Sequence, residues 1–122
     1  MKFNSQICTS RLQSERLLAL GLKKETADMC HFWHWESDDY SRVCASWEFA
    51  HRSNKDIPAW SLHRLIEMMP YCIVGQGWLS VGHQGLHYSR GYGVADNGLY
   101  ESIIRMYAWL IKEGYFKKEY LV

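Results

Sequence analysis

Five consecutive residues, His31-Phe32-Trp33-His34-Trp35, set two imidazoles and three large rings side by side. Imidazole can ligate metals or carry protons. An exposed ring can stack on a planar molecule, an interaction worth roughly 1–3 kcal/mol per nucleobase. The composition favours a strand, on which His31, Trp33 and Trp35 share one face and Phe32 and His34 the other. One face then belongs to the core, and the other offers its rings to solvent or a ligand. The competing reading is a strand buried on both faces between helical layers.

Spacing argues against metal and nucleophilic chemistry. Cys30, His31 and His34 are close in sequence, but a strand separates the two imidazoles, and no second pair completes a tetrahedral site. His83 and His87 flank a turn and could converge with Cys72, although residues on the surface of a hairpin are the simpler reading. There is no Gly-x-Ser-x-Gly elbow, no Ser-His-Asp spacing and no familiar Cys-His arrangement. The Asp38-Asp39 pair has the composition of a solvated turn. No metal, cofactor or catalytic residue is therefore expected.

A second candidate is Gly91-Tyr92-Gly93-Val94-Ala95-Asp96-Asn97-Gly98, read as a loop between a strand and a helix, with Arg90 beside it. Free amides at a helix start attract anions, and glycines let the backbone come close. The pattern lacks the third glycine and the βαβ setting of a dinucleotide fingerprint, and Asp96 would repel phosphate. An ordinary capped loop is the simpler reading.

The rest of the composition sets limits. The 122 residues suit one domain, 1–122, with 48% hydrophobic and 22% charged residues. A net charge of +1 with scattered Lys and Arg excludes bulk nucleic-acid binding. No run approaches the roughly 20 apolar residues of a membrane span, and the start lacks the apolar run of a signal peptide. A cytoplasmic location follows as an expectation, with Cys8, Cys30, Cys44 and Cys72 reduced and mostly buried. Aromatic residues reach 15%, including six Trp and eight Tyr, and these rings serve cores, stacking platforms and interfaces alike.

The elements that must position these groups can be read along the chain. Phe3–Cys8 suits a short strand. Ser10-Arg11-Leu12-Gln13 has the form of a capping box, opening a helix from about Arg11 to Leu20, closed by Gly21 and apolar at Leu12, Leu17, Leu18 and Leu20. Met29–Trp35 and Arg42–Phe49 read as a hairpin around Glu36–Asp39. Asp56-Ile57-Pro58 starts a second helix, with proline in its first turn, ending at Pro70. Tyr71–Val74, Trp78–His83 and Leu86–Arg90 read as two or three short antiparallel strands. Asp96 or Asn97 caps a last helix, about Gly98–Glu113, closed by Gly114. That helix is apolar over more than half its circumference. It needs cover from the sheet plus another helix, or from a second subunit in a homodimer. The expected class is α+β: an antiparallel sheet built from hairpins, with about three helices packed mainly on one face. A split arrangement around a central helix is the alternative.

Three segments carry a resemblance: LLALGLKKETADM (Leu17–Met29), IPAWSLHRLIEMMP (Ile57–Pro70) and WLIKEGYFKKEYL (Trp109–Leu121). They resemble a group of small uncharacterised proteins of phages and mobile elements in gut Bacteroidales bacteria. The segments stand in the expected order and cover about a third of the chain. Such proteins differ most in the regions matching Cys30–Lys55 and Tyr71–Asn97. The resemblance implies a small cytosolic accessory protein and carries over no catalytic motif. Accessory proteins of this kind often antagonise host defence, by binding a host protein or by sequestering a nucleotide signal.

The leading expectation is thus a non-enzymatic protein that binds, or sequesters, a small planar or nucleotide-type ligand. Its candidate residues are Trp33, Trp35, Trp78, Tyr88, Arg90, Tyr92 and Gly93. One alternative is an interaction module that inhibits or adapts a host protein through exposed rings. Another is a small enzyme acting on a phosphorylated metabolite, with His83 or His87 as its candidate groups.

Overall fold

Ser10 does cap the first helix: its hydroxyl accepts from the Gln13 amide at 3.2 Å, and Gln13 Oε1 accepts from the Ser10 amide at 2.9 Å. The structure is a computed structural model describing residues 6–44, 47 and 53–122. It is an α+β arrangement of three helices and two antiparallel sheets among the described residues. The helices are α1 (Arg11–Ala19), α2 (Leu62–Glu67) and α3 (Leu99–Glu113).

The first sheet has the order β2-β1-β3, from β1 (Met29–His34), β2 (Asp39–Val43) and β3 (Ile57–Ala59). A hairpin is present, with His34 opposite Asp39 and Cys30 opposite Val43, but its second strand starts at Asp39 rather than Arg42, and Cys44 is already outside it. Its turn uses Asp38 at φ 53, a conformation Asp tolerates better than most residues. The predicted extension of the second strand through Phe49 and the predicted strand at Phe3 fall largely outside the described residues. Gln6–Cys8, the described part of the latter, is not a strand.

Pro58 corrects the expectation for the second helix. It lies in β3, opposite Cys30, on an edge where a missing N–H costs no ladder bond. The helix starts at Leu62 instead, capped by Ser61, whose hydroxyl accepts from the Arg64 amide. Ser61 is itself held by Asp28 through its amide and hydroxyl.

The second sheet is a meander, β4-β5-β6-β7, from β4 (Cys72–Ile73), β5 (Gly77–Val81), β6 (Gly85–Tyr88) and β7 (Gly93–Ala95). The chain read as a Gly91–Asn97 loop therefore contains a strand. Glycine allows it: a Cβ at Gly93 would come within 2.8 Å of His87 Cβ, and one at Gly85 within 2.4 Å of the Val94 carbonyl oxygen. Only bare backbone lets β6 and β7 pair this closely.

Helix α3 packs against β6, β7 and α1. Ile103, Met106, Tyr107 and Leu110 are fully buried with Leu17, Leu22, Trp60, Leu65 and Tyr88. Gly114 closes it in the left-handed conformation, φ 80, as expected. Its start differs from expectation: the cap is Gly98, at φ 92 and without a side-chain cap bond, not Asp96 or Asn97. Most of the apolar surface of α3 is covered by its own chain, while Leu99, Ala108, Trp109 and Ile111 remain half-buried. The C-terminus returns to the end of α1, where the Lys23 amide donates to Tyr120 and the Val122 amide to Gly21. No helix among the described residues is long and apolar enough to cross a membrane.

Candidate functional site

The β1–β2 hairpin turns from core to surface along its length rather than across its faces. Met29, Cys30 and His31 are buried, Phe32 and Trp33 half-buried, and His34 through Asp39 exposed. Both predictions for the HFWHW run are therefore half right: the root is enclosed on both faces, and the tip is open on both. Trp35 ends 79% exposed.

An open cleft of about 550 Å³ lies at the tip, lined by Phe32, Trp33, His34, Trp35, Glu36 and Ser37. Several contacts fix its walls. The Trp33 ring meets Tyr40 edge-on at 4.9 Å, and Lys55 Nζ sits 4.6 Å from the Trp33 ring centre. The Trp33 amide donates to Asp56 Oδ1 at 2.8 Å, which continues the ladder one bond beyond β3. His34 bonds Ser41 across the hairpin, and its ring lies 5.6 Å from Phe32. Ring positions are thus set by neighbours while the outer indole stays accessible, the combination a stacking site requires.

A second cleft, of about 280 Å³, adjoins the hairpin root and is lined in part by Thr9, Arg11, His31, Tyr40 and Arg42. His31 and Arg42 are directly opposite on paired strands, as are Trp33 and Tyr40. All four side chains therefore share one face. His31 Nε2 lies 2.8 Å from the Thr9 carbonyl. A carbonyl only accepts, so this nitrogen carries the proton. Burial draws the His31 pKa below its ordinary value, the Thr9 bond partly opposes this, and Arg42 and Arg11 add to the lowering. Beneath the same strands, burial raises Cys8 and pushes the Cys30 thiol up to about 11, keeping both as neutral thiols.

The remaining candidates lie on the second sheet. Trp78 is 62% exposed and faces Tyr71 across 5.7 Å. Tyr88 is enclosed: 1% exposed, its hydroxyl donates to the Pro70 carbonyl at 2.7 Å, and burial raises its pKa far above the ordinary phenol value. It holds β6 to the end of α2 and has no face left for a ligand. Tyr92 is half-buried and stacks on Trp109 at 4.6 Å and 10°. Arg90 is exposed, and its amide is held by the Gln76 carbonyl.

The loop before α3 does not keep its amides free. Gln76 Oε1 accepts from the Tyr92 amide, Ser102 Oγ from the Asp96 amide, and Asp96 Oδ1 from the Asn97 amide. Asp96 also pairs with Arg105 at 3.0 Å, and its pKa is lowered, first by the Asn97 amide and then by Arg105. The Tyr92, Asp96 and Asn97 amides are thus taken by the chain's own groups, as in an ordinary loop. Cys72 lies opposite Trp78 and His87 opposite Ser80. No three His, Cys, Asp or Glu residues among those described are grouped to hold a metal ion.

The candidate residues therefore separate into Trp33 and Trp35 on one sheet and Trp78, Tyr88, Arg90, Tyr92 and Gly93 on the other. Sequence reasoning missed Tyr40, Lys55, Arg11 and Arg42. The hairpin register, had it been fixed, would have pointed to Tyr40 and Arg42. Comparison of the chain with protein-family models, with curated proteins and with solved structures gave no match.

Proposed function

We propose that the chain is a non-enzymatic binding protein that takes a small planar, nucleotide-type molecule into the hairpin cleft. The supporting observation is Trp35: an indole 79% exposed, beside the braced Trp33 ring, on the rim of an open cleft. Leaving so large an apolar ring in water forgoes its burial energy, which a stacked ligand would recover. The site contracts to Trp33 and Trp35 from the wider set, because Tyr88 and Tyr92 are committed to packing. The resemblance to phage and mobile-element proteins makes an accessory role in the cytoplasm, sequestering a nucleotide signal, the setting proposed for this binding.

The test is a thermal-shift and calorimetric screen of nucleosides and nucleotides against the intact chain. Trp35→Ala should weaken the best binder by about 1–3 kcal/mol, roughly five- to 150-fold in Kd. A screen without binders, or a Kd unmoved by Trp35→Ala, rejects the reading.

A second reading, a surface that docks a host protein, is favoured by Tyr71, Val74 and Trp78, which are 74%, 98% and 62% exposed. If it holds, Trp78→Ala abolishes capture of a stoichiometric host protein and Trp35→Ala does not.

A further inference from the structure

We propose that the cleft at the hairpin root, framed by Arg11, Arg42 and His31, is an anion site that receives the phosphoryl end of the same ligand. The inference rests on the stacking reading for the planar half of that ligand, and it relocates the anionic half away from the glycine loop.

Three observations carry it. First, Arg11 and Arg42 line one cleft from different elements, the first turn of α1 and strand β2. Arg16, Arg64 and Arg105 each close on a carboxylate, at 2.5, 2.5 and 3.0 Å. Arg11 and Arg42 make no ion pair with a carboxylate among the described residues. Arg11 instead lies over the Tyr40 ring at 4.6 Å. Stacking occupies the face of a guanidinium and leaves its N–H edge to bind two oxygens of a phosphate.

Second, the floor of the cleft is organised. The His31 Nε2–H is fixed on the Thr9 carbonyl, and Arg42 stands directly across the strand pair from His31. The start of α1 adds the positive end of a helix dipole.

Third, a ring contact links the linings of the two clefts. Trp33 lines the tip cleft, Tyr40 lines the root cleft, and their rings touch at 4.9 Å. The guanidiniums belong to the root alone. Glu36 lines the tip, where Lys55 lies over the Trp33 ring, while Arg42 and Arg11 line the root. A carboxylate beside the indoles suits the amino edge of a base and repels phosphate. The guanidiniums do the reverse. The polarity therefore orients a nucleotide with its base outward and its phosphate inward.

The experiment compares adenosine, guanosine, their 5′-diphosphates and inorganic phosphate, by calorimetry, on the intact chain and on Arg11→Gln, Arg42→Gln and Arg90→Gln. Both cleft arginines are exposed at their rims, and far-UV circular dichroism with a thermal melt checks that each variant folds. A diphosphate should bind tighter than its nucleoside, and Arg11→Gln or Arg42→Gln should each weaken it by about tenfold or more. Neither substitution should change nucleoside affinity, and Arg90→Gln should change nothing. Phosphate should also move the His31 imidazole signals in NMR. If the nucleoside binds and the diphosphate gains nothing, the anion site is wrong and the stacking site stands. If phosphate shifts His31 and no nucleoside binds, the anion site stands without the stacking site. If Arg90→Gln alone weakens the diphosphate, the glycine loop holds the phosphate and this assignment is overturned.

Discussion

Tyr107 and Tyr100 sit two turns apart on α3, and both are buried, yet their hydroxyls are placed differently. Tyr107 donates to the Leu65 carbonyl at 2.5 Å, closing an open acceptor near the end of α2, and burial raises its pKa well above the ordinary value. The Tyr100 hydroxyl is buried beside the Leu62 backbone but makes no hydrogen bond of good geometry with it or with any other described residue. Removing one oxygen should therefore act in opposite senses. Tyr107→Phe leaves a buried carbonyl unpaired and should cost about 1–3 kcal/mol. Tyr100→Phe relieves an unsatisfied group and should be neutral or slightly stabilising. Urea unfolding of the two variants decides the matter; equal losses would show that the two environments are not distinguished as described. The same distinction was invisible in the sequence. Tyr88 reads there like any strand tyrosine beside a glycine loop. Whether its ring faces helix or solvent depends on the pairing of β6 with β5 and β7, which places Leu86 and Tyr88 inward and His87 outward.

Local signals, at the scale of elements, fared according to how much of their physics is local. The capping box at Ser10 and the glycine closures at Gly21 and Gly114 depend on neighbouring residues alone, and they were legible. Pro58 was not, because proline suits both a helical first turn and an edge strand, and only the pairing with Cys30 selects the second. The apolar side of α1 holds at Leu17, Leu18 and Leu20, which lie in or against the core, and fails at Leu12. Leu12 is 74% exposed, while Gln13 and Ser14 are buried, because that face meets the Thr9 hydroxyl and α3. Gln13 is consequently more than a cap: its Nε2 donates to Glu101 Oε1 at 3.0 Å. At this capping position Glu ordinarily serves as well as Gln. Here Gln13→Glu sets a carboxylate against Glu101 without a proton to share, and should cost about 1–3 kcal/mol. Adding Glu101→Gln restores a donor and should recover most of the loss. A double-mutant cycle by thermal unfolding measures that coupling, and an additive result would remove Gln13 as the link between α1 and α3.

The whole molecule's response to acid joins the hairpin to the segment before α1, because His31 bridges them through Thr9. The α+β class was readable from alternating hairpin and helix signals, but the division into two sheets was not, since strand order is a long-range property. The root cleft depends on that same long-range assembly: Arg11, His31 and Arg42 are remote or unremarkable in sequence and meet only when the segment that opens α1 packs against the hairpin root. Their meeting has a consequence for pH. The pKa of folded His31 is lowered from its ordinary 6.5, first by burial and further by Arg42 and Arg11, so the folded ring is neutral near pH 7. Below pH 6.5 the unfolded chain takes up this proton before the folded one does. Stability therefore falls as pH drops from 6.5 towards the folded value, by at most about 1.4 kcal/mol per pH unit for one proton. Glu101 is lowered from 4.5, first by Gln13 and then by Arg16, and Asp96 from 3.8. Their stabilisation is present above those ordinary values and is lost as pH falls through the lower folded ones, so the His31 loss is the first to begin as pH drops below 6.5. His31→Gln keeps an N–H for the Thr9 carbonyl and removes the titration. Urea unfolding at pH 7.5 and pH 5.5 should show a smaller stability loss in this variant than in the parent chain. An identical loss in both would mean that His31 is not the buried neutral group on which the root cleft is built.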